Sequence, residues 1–210
     1  MPHFPTAGHE IDAQCASCFT TFVRILFVRL FCNIPMALPR TFVGFSSTDL
    51  HCYRLMTAWK AHEHIDFDFC NCQLADELNS EDEGYIKRQC RARINMAGHY
   101  LLLIGTDTRA KHKYVRWEAE VAVEKGCTII GVNLDKTRFI NRDRTPPVIE
   151  DIGALFVTFS PPIIAHALKN YKMMASKNYH YLDEVYRNLG YIIDGNRAYR
   201  PKPTLPAFFR

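Results

Sequence analysis

The chain has 210 residues, of which 48% are hydrophobic and 23% are charged, and these fractions exclude wholesale disorder. The formal net charge of +4 is a weaker excess than nucleic-acid binders usually carry, so no nucleic-acid partner is expected. The eight cysteines are too dilute for a disulfide scaffold, which favours a reducing, cytoplasmic location.

The first regular pattern begins at Arg40, and we interpret residues 1–39 as an N-terminal extension upstream of the natural start. Its most apolar stretch, residues 19–34, contains two arginines and is shorter than the ~18 to 20 residues that a membrane-spanning helix needs. No stable membrane insertion is therefore expected, and a helix lying on a membrane surface is the alternative. Cys15 and Cys18 form a single Cys-x-x-Cys pair, whereas zinc motifs usually hold two such pairs, so no metal site is predicted.

Strand-type and helix-type patterns then alternate along residues 40–170. Strands are predicted at residues 41–45, 65–72, 100–104, 127–134 and 154–159, and helices at residues 50–61, 83–97, 114–125 and 163–171. Such alternation is typical of parallel strands joined by right-handed helical crossovers. It predicts a flavodoxin-like α/β fold, a three-layer sandwich around a mostly parallel five-stranded sheet.

Residues 171–210 form a separate C-terminal segment in this interpretation. A helix is predicted at residues 179–189, and residues 196–210, which include three prolines, are predicted to be an extended tail.

The sequence also excludes several classes of protein that share this kind of fold. It has no P-loop, no dinucleotide-binding glycine motif and no nucleophile elbow, which disfavours P-loop NTPases, Rossmann dehydrogenases and α/β-hydrolases. The acidic residues that phospho-receiver proteins need at two strand ends are replaced by residues 44–46 and 104–105. Ligands of such sheets bind beyond the carboxyl ends of the strands, where the strand order reverses.

Four segments together resemble the TIR superfamily, and in particular the TIR-like proteins of bacterial Thoeris antiphage systems. They are TFVGFSSTD at residues 41–49, LLLIG at residues 101–105, YVRWE at residues 114–118 and EKGCTIIGVN at residues 124–133. The resemblance covers roughly residues 40–165, and its most specific part is residues 100–133.

The resemblance implies cleavage of the nicotinamide–ribose bond of NAD⁺, with Glu118 as the catalytic residue. NAD⁺ would be the substrate, and no cofactor would be required. The bond breaks through an oxocarbenium-like ribose cation, which a single carboxylate can stabilise because nicotinamide leaves as a neutral molecule. Attack by water gives ADP-ribose. Attack from within the dinucleotide gives a cyclic ADP-ribose isomer, a diffusible signal for a downstream effector.

The resemblance also implies residues that contact NAD⁺ along the same edge of the sheet. These are Phe45, Ser46, Ser47, Thr106, Tyr114 and Trp117. Each has a purely structural alternative, because serines cap helices and aromatic residues near a helix start usually serve packing. Glu118 itself has one, since the helix dipole favours a glutamate in the first turn.

A second hypothesis is a non-enzymatic TIR-like module that works by protein association. The C-terminal tyrosines would then offer a docking surface: Tyr171, Tyr179, Tyr181, Tyr186 and Tyr191. Animal and plant TIR domains assemble through a loop after the second strand, where residues 72–76 of this chain have a different sequence. Formation of a homo-oligomer is therefore left open.

Overall fold

The computed structural model describes residues 40–63, 65, 67, 69–71, 82–111, 114–174 and 176–201. The predictions made for residues 1–39, including the Cys15–Cys18 pair, lie outside these residues, as does the loop at residues 72–76.

The centre of the domain is a parallel sheet. Its six strands are β1 (Arg40–Gly44), β2 (Cys70–Asn71), β3 (His99–Ile104), β4 (Thr128–Asn133), β5 (Leu155–Thr158) and β6 (Tyr179–His180). Their order is β2-β1-β3-β4-β5-β6, and every neighbouring pair is parallel. All six residues of β3 are buried, which explains its continuous apolar sequence.

Helices cover both faces of this sheet. They are α1 (Leu50–Ala61), α2 (Glu83–Met96), α3 (Val115–Lys125), α4 (Pro161–Asn170) and α5 (Asp183–Asn188). One face packs against α1, α4 and α5, and the other packs against α2 and α3. The predicted flavodoxin-like three-layer sandwich is confirmed, with β6 as an additional short strand.

Local sequence explains where the central helices begin and end. The Asp82 side chain accepts a hydrogen bond from the Tyr85 backbone N–H (3.1 Å) and caps α2. Gly126 ends α3 with a left-handed backbone (φ 78°), a conformation that glycine adopts without steric cost. Pro161 begins α4, where the missing proline N–H leaves no hydrogen bond unmade.

The predictions for the second strand and for the C-terminal segment were partly wrong. Among the described residues of the strand predicted at residues 65–72, only Cys70–Asn71 form a strand, which pairs with β1 at the edge of the sheet. The helix predicted at residues 179–189 is only α5, because residues 179–180 pair with β5 instead. The described start of the predicted extended tail, residues 196–201, contains β8 (Arg197–Tyr199), which forms a β-hairpin with the preceding β7 (Ile192–Asp194).

The C-terminal tyrosines belong to the core and not to a surface. Tyr171, Tyr186 and Tyr191 are buried, and Tyr179 and Tyr181 are half-buried against the same apolar cluster beside α1 and α4. The expected docking surface built from these rings is therefore wrong. Their spacing in sequence indicated an aromatic-rich segment, but only the packing shows which way the rings point.

Within the described part of the chain, no helix has both the length and the apolar character needed to cross a membrane.

Candidate functional site

The strand order reverses between β1 and β3, and the turns that follow these two strands meet at the carboxyl edge of the sheet. The Ser46 Oγ donates a hydrogen bond to Asp107 Oδ2 (3.3 Å), and the Thr48 Oγ1 donates one to Asp107 Oδ1 (2.9 Å). Lys111 adds an ion pair to the same carboxylate at 3.4 Å. One aspartate after β3 therefore holds the turn after β1.

Electrostatics keep Asp107 ionised. Partial desolvation acts to raise the pKa of Asp107, but the hydrogen bonds from Thr48 and Ser46 and the charge of Lys111 outweigh it, so the pKa is lowered. The carboxylate is thus charged at neutral pH and accepts both hydroxyl hydrogen bonds.

A second carboxyl, that of Asp49, is buried in the same place. Asp49 is only 8% exposed, and its Oδ2 has no hydrogen-bond partner in the described part of the chain. Its carboxyl packs directly on Gly105, where an added Cβ would stand 2.2 Å from Oδ2. Burial and the nearby charge of Asp107 raise the pKa of Asp49. The two aspartates thus have opposite pKa shifts at one sheet edge.

Glu118 lies in the first turn of α3, on the face of the sheet covered by α2 and α3. Its side chain is half-buried, and its backbone N–H donates to the Tyr114 carbonyl (2.8 Å). Burial and then the charge of Glu118 raise the pKa of the Tyr100 hydroxyl well above its ordinary value. That hydroxyl lies over Gly44, where an added Cβ would be 2.2 Å away. The helix α3, which carries Glu118, therefore lies on the same face of the sheet as the Tyr100 ring, beside β1.

The residues predicted to contact NAD⁺ after β1 and β3 lie in two places, one on a face of the sheet and the others at its edge. The Phe45 ring stacks on Tyr53 of α1, with ring centroids 4.8 Å apart, on the face opposite Glu118. Ser46 is buried at the edge between the faces, whereas Ser47 and Thr106 are exposed there. The structure brings Ser46, Ser47 and Thr106 to one edge.

The two aromatic candidates at the start of α3 have different surroundings. Trp117 is half-buried against the core beside α2, with the Lys87 ammonium 5.8 Å and the Arg91 guanidinium 5.7 Å from its ring centroid. Its ring therefore serves the contact between α2 and α3, as the packing alternative expects. Tyr114 is half-buried immediately before α3.

Comparison with known families identifies the domain. A family model of the TIR-like domain of the Thoeris protein ThsB matches residues 42–138. Residues 42–138 therefore belong to the TIR-like domain family of Thoeris systems. No individual curated protein matches the chain at a significant level.

The matched range of the TIR-like domain runs from β1 to the loop after β4 and includes every candidate site residue from Phe45 to Glu118. The domain continues beyond it, because β5, α4 and the C-terminal segment supply much of the core on the α1 and α4 face.

Sequence reasoning missed four residues that build the edge of this TIR-like domain. They are Thr48, Asp49, Tyr100 and Asp107. A signal for Asp107 was available, because an acidic residue directly after a buried strand at the carboxyl edge is a usual site position. Nothing local indicates that Asp49 and Tyr100 would rest on glycines of neighbouring strands. Within the described residues, no group of three or more His, Cys, Asp or Glu side chains is arranged to hold a metal ion.

Proposed function

We propose that this TIR-like domain cleaves the nicotinamide–ribose bond of NAD⁺, with Glu118 as the catalytic carboxylate. The observation that carries the proposal is the half-buried position of Glu118 in the first turn of α3, the helix that packs beside β1 where the strand order reverses. Membership of the Thoeris ThsB family supports a role in defence. No resident cofactor is needed.

The chemistry requires one well-placed negative charge. As the bond to neutral nicotinamide breaks, positive charge develops on the ribose, and the Glu118 carboxylate stabilises it. The hydroxyls of Ser47 and Thr106 lie at the exposed sheet edge and are the groups that would bind ribose or phosphate oxygens, whereas the buried Ser46 would hold this turn through Asp107. Capture of the cation by water releases ADP-ribose and a proton, and capture by a nucleophile of the dinucleotide gives a cyclic isomer.

In this proposal the product is a cytoplasmic signal that a downstream effector binds. The proposal also includes self-association of the domain into a homo-oligomer. A protein that acts through a diffusible product needs no docking surface for its effector. This agrees with the burial of the C-terminal tyrosines.

The proposal is tested in cells that express the full chain and are infected with a panel of phages. NAD⁺, nicotinamide and ADP-ribose-type products are then measured by mass spectrometry. The wild type is expected to consume NAD⁺ and release nicotinamide. Glu118→Gln keeps the size of the side chain and removes its charge, so product formation should fall by at least about 100-fold.

Glu120→Gln is the matched control, because Glu120 is exposed and pairs with Arg116 at 2.8 Å on the surface of α3. It should keep activity within about twofold of wild type, since exposed ion pairs contribute little. Wild-type activity in Glu118→Gln would overturn the site assignment. No nicotinamide release from the wild type under any trigger would overturn the enzymatic function.

A further inference from the structure

A cavity lies along α4, on the face of the sheet opposite Glu118. Its volume is about 610 Å³, within the range of small-molecule sites. One wall comes from Ile65, before β2, and the other comes from Leu189 and Arg200 in the C-terminal segment. We call this cavity the α4 groove. Leu189 and Arg200 lie outside the range matched by the ThsB family model.

The charge of the α4 groove is one-sided. Lys169 and Arg200 line it, and among the described residues that line it there is no aspartate or glutamate. In the part of the chain that the structure describes, no ion pair uses either cation. By contrast, Arg138 and Arg142 bind carboxylates elsewhere in the domain. Two uncompensated cations facing one cavity favour an anionic ligand.

The anion would be held by side chains and not by the start of the helix. Pro161 and Pro162 carry no backbone N–H, so the first turn of α4 lacks donors that helix starts usually offer to anions. The Ser160 hydroxyl already accepts a hydrogen bond from the Tyr191 hydroxyl at 2.8 Å. The planar guanidinium of Arg200 is the group best suited to a phosphate, because it donates two parallel hydrogen bonds.

The rest of the lining suits a heterocyclic ring. Pro162, Ala165 and Leu189 provide apolar surface. His166 and Asn170 also line the groove and provide hydrogen-bonding groups. The Asn170 Nδ2 donates to the His166 carbonyl at 2.9 Å. Burial lowers the pKa of His166, which favours the neutral imidazole; its Nδ1 lies 3.3 Å from the Asn170 Nδ2 and accepts there, so Nε2 is left as a donor. Apolar surface combined with a few polar groups is typical of ligand sites.

We propose that the α4 groove is a nucleotide-binding site, separate from the candidate active site, in which Arg200 and Lys169 bind the phosphates and the apolar wall holds the base. The ligand class is a nucleoside phosphate, because this combines an anion for the two cations with a ring for the apolar lining, which includes Leu189 and Ala165. The site would let a nucleotide act on the TIR-like domain without occupying the region around Glu118.

Isothermal titration of the full chain with ADP tests this site, with adenosine and inorganic phosphate as separate titrants. One saturable ADP site is expected, and both fragments should bind at least tenfold more weakly than ADP. Arg200→Ala should weaken ADP binding by about tenfold or more, the equivalent of one lost charge-assisted contact. Lys169→Glu should also weaken ADP binding.

Two controls separate this site from the candidate active site. Lys172→Ala removes an exposed lysine that does not line the groove, so ADP binding should be unchanged. Glu118→Gln should also bind ADP normally. If ADP binding is lost in Glu118→Gln and kept in Arg200→Ala and Lys169→Glu, the nucleotide binds at the active site and the proposal is wrong. Failure of the wild type to bind ADP, or equal affinity for inorganic phosphate, would overturn it as well.

Discussion

Gly105 shows how a single residue controls the candidate site. It follows β3 at the edge where the turns meet. A Cβ added to Gly105 would lie 2.2 Å from Oδ2 of the buried Asp49 carboxyl, which is too close for two unbonded atoms. Gly105→Ala should therefore force Asp49 or the turn after β3 to move. We expect a loss of about 1 to 3 kcal/mol in the free energy of unfolding, the usual cost of overpacking a buried contact. Urea unfolding followed by circular dichroism measures it.

Gly84→Ala is the matched control for this change. Gly84 lies exposed in the first turn of α2, where an added Cβ would lie 3.2 Å from Oδ1 of the capping Asp82 and 3.4 Å from Arg88 Nη1, a milder approach than at Gly105. It should be neutral or stabilising by up to about 1 kcal/mol, because alanine is a better helix former. In an Asp49→Ala background, Gly105→Ala should cost less than it does alone. Equal stabilities of Gly105→Ala and Gly84→Ala would contradict the close contact.

At the scale of elements, Arg138 joins the loop after β4 to the C-terminal segment. Its side chain is only 3% exposed. The Nη1 binds Asp183 at the start of α5 (2.5 Å), and the Nη2 donates to the Gly195 carbonyl in the β7–β8 turn (2.7 Å). The Arg138 backbone N–H donates to the Asn196 carbonyl (2.9 Å). One arginine therefore connects three elements.

Arg138→Ala should destabilise the protein by about 2 to 4 kcal/mol, because buried charge-assisted hydrogen bonds are lost. Hydrogen exchange should accelerate first in residues 183–199, which lose this attachment. Arg138→Lys should not restore protection, because an ammonium lacks the planar fork that reaches two acceptors. Arg144→Ala in the same loop, which removes a partly exposed ion pair with Asp135 (3.1 Å), should cost less than about 1 kcal/mol. Protection in Arg138→Ala equal to that in Arg144→Ala would contradict this role.

At the scale of the whole molecule, the C-terminal segment completes a core that the family model covers only in part. Tyr186 is fully buried in the cluster that also holds Leu155 of β5 and Ile164 of α4. Tyr186→Ala should therefore cost about 3 to 5 kcal/mol, as for other large aromatic side chains removed from a core. Thermal unfolding should show a lower Tm.

Leu182→Ala provides the comparison in the same segment, because Leu182 is 70% exposed. It should change the free energy of unfolding by no more than about 0.5 kcal/mol. The pair also tests the predicted domain boundary at residue 170. If Tyr186→Ala is as stable as Leu182→Ala, the segment after residue 170 does not contribute to the folding of the domain.

Sequence alone determined the parts of this protein that depend on local periodicity. The continuous apolar runs of β3 and β4, the helices between them and the stop at Gly126 follow from residue spacing, and they were sufficient for the fold class. The segments around residues 101–105 and 114–118 were sufficient for the family and for proposing Glu118. These signals are readable because neighbouring residues in the chain determine them.

Tertiary structure decided which distant residues meet. Asp107 binds Ser46 from 61 positions away, and Arg138 binds Asp183 from 45 positions away. The burial of the tyrosines and the α4 groove also depend on how the C-terminal segment packs against α4. Periodicity states which face of an element is apolar, but it does not state which element covers that face. Such contacts become visible only when the chain is folded.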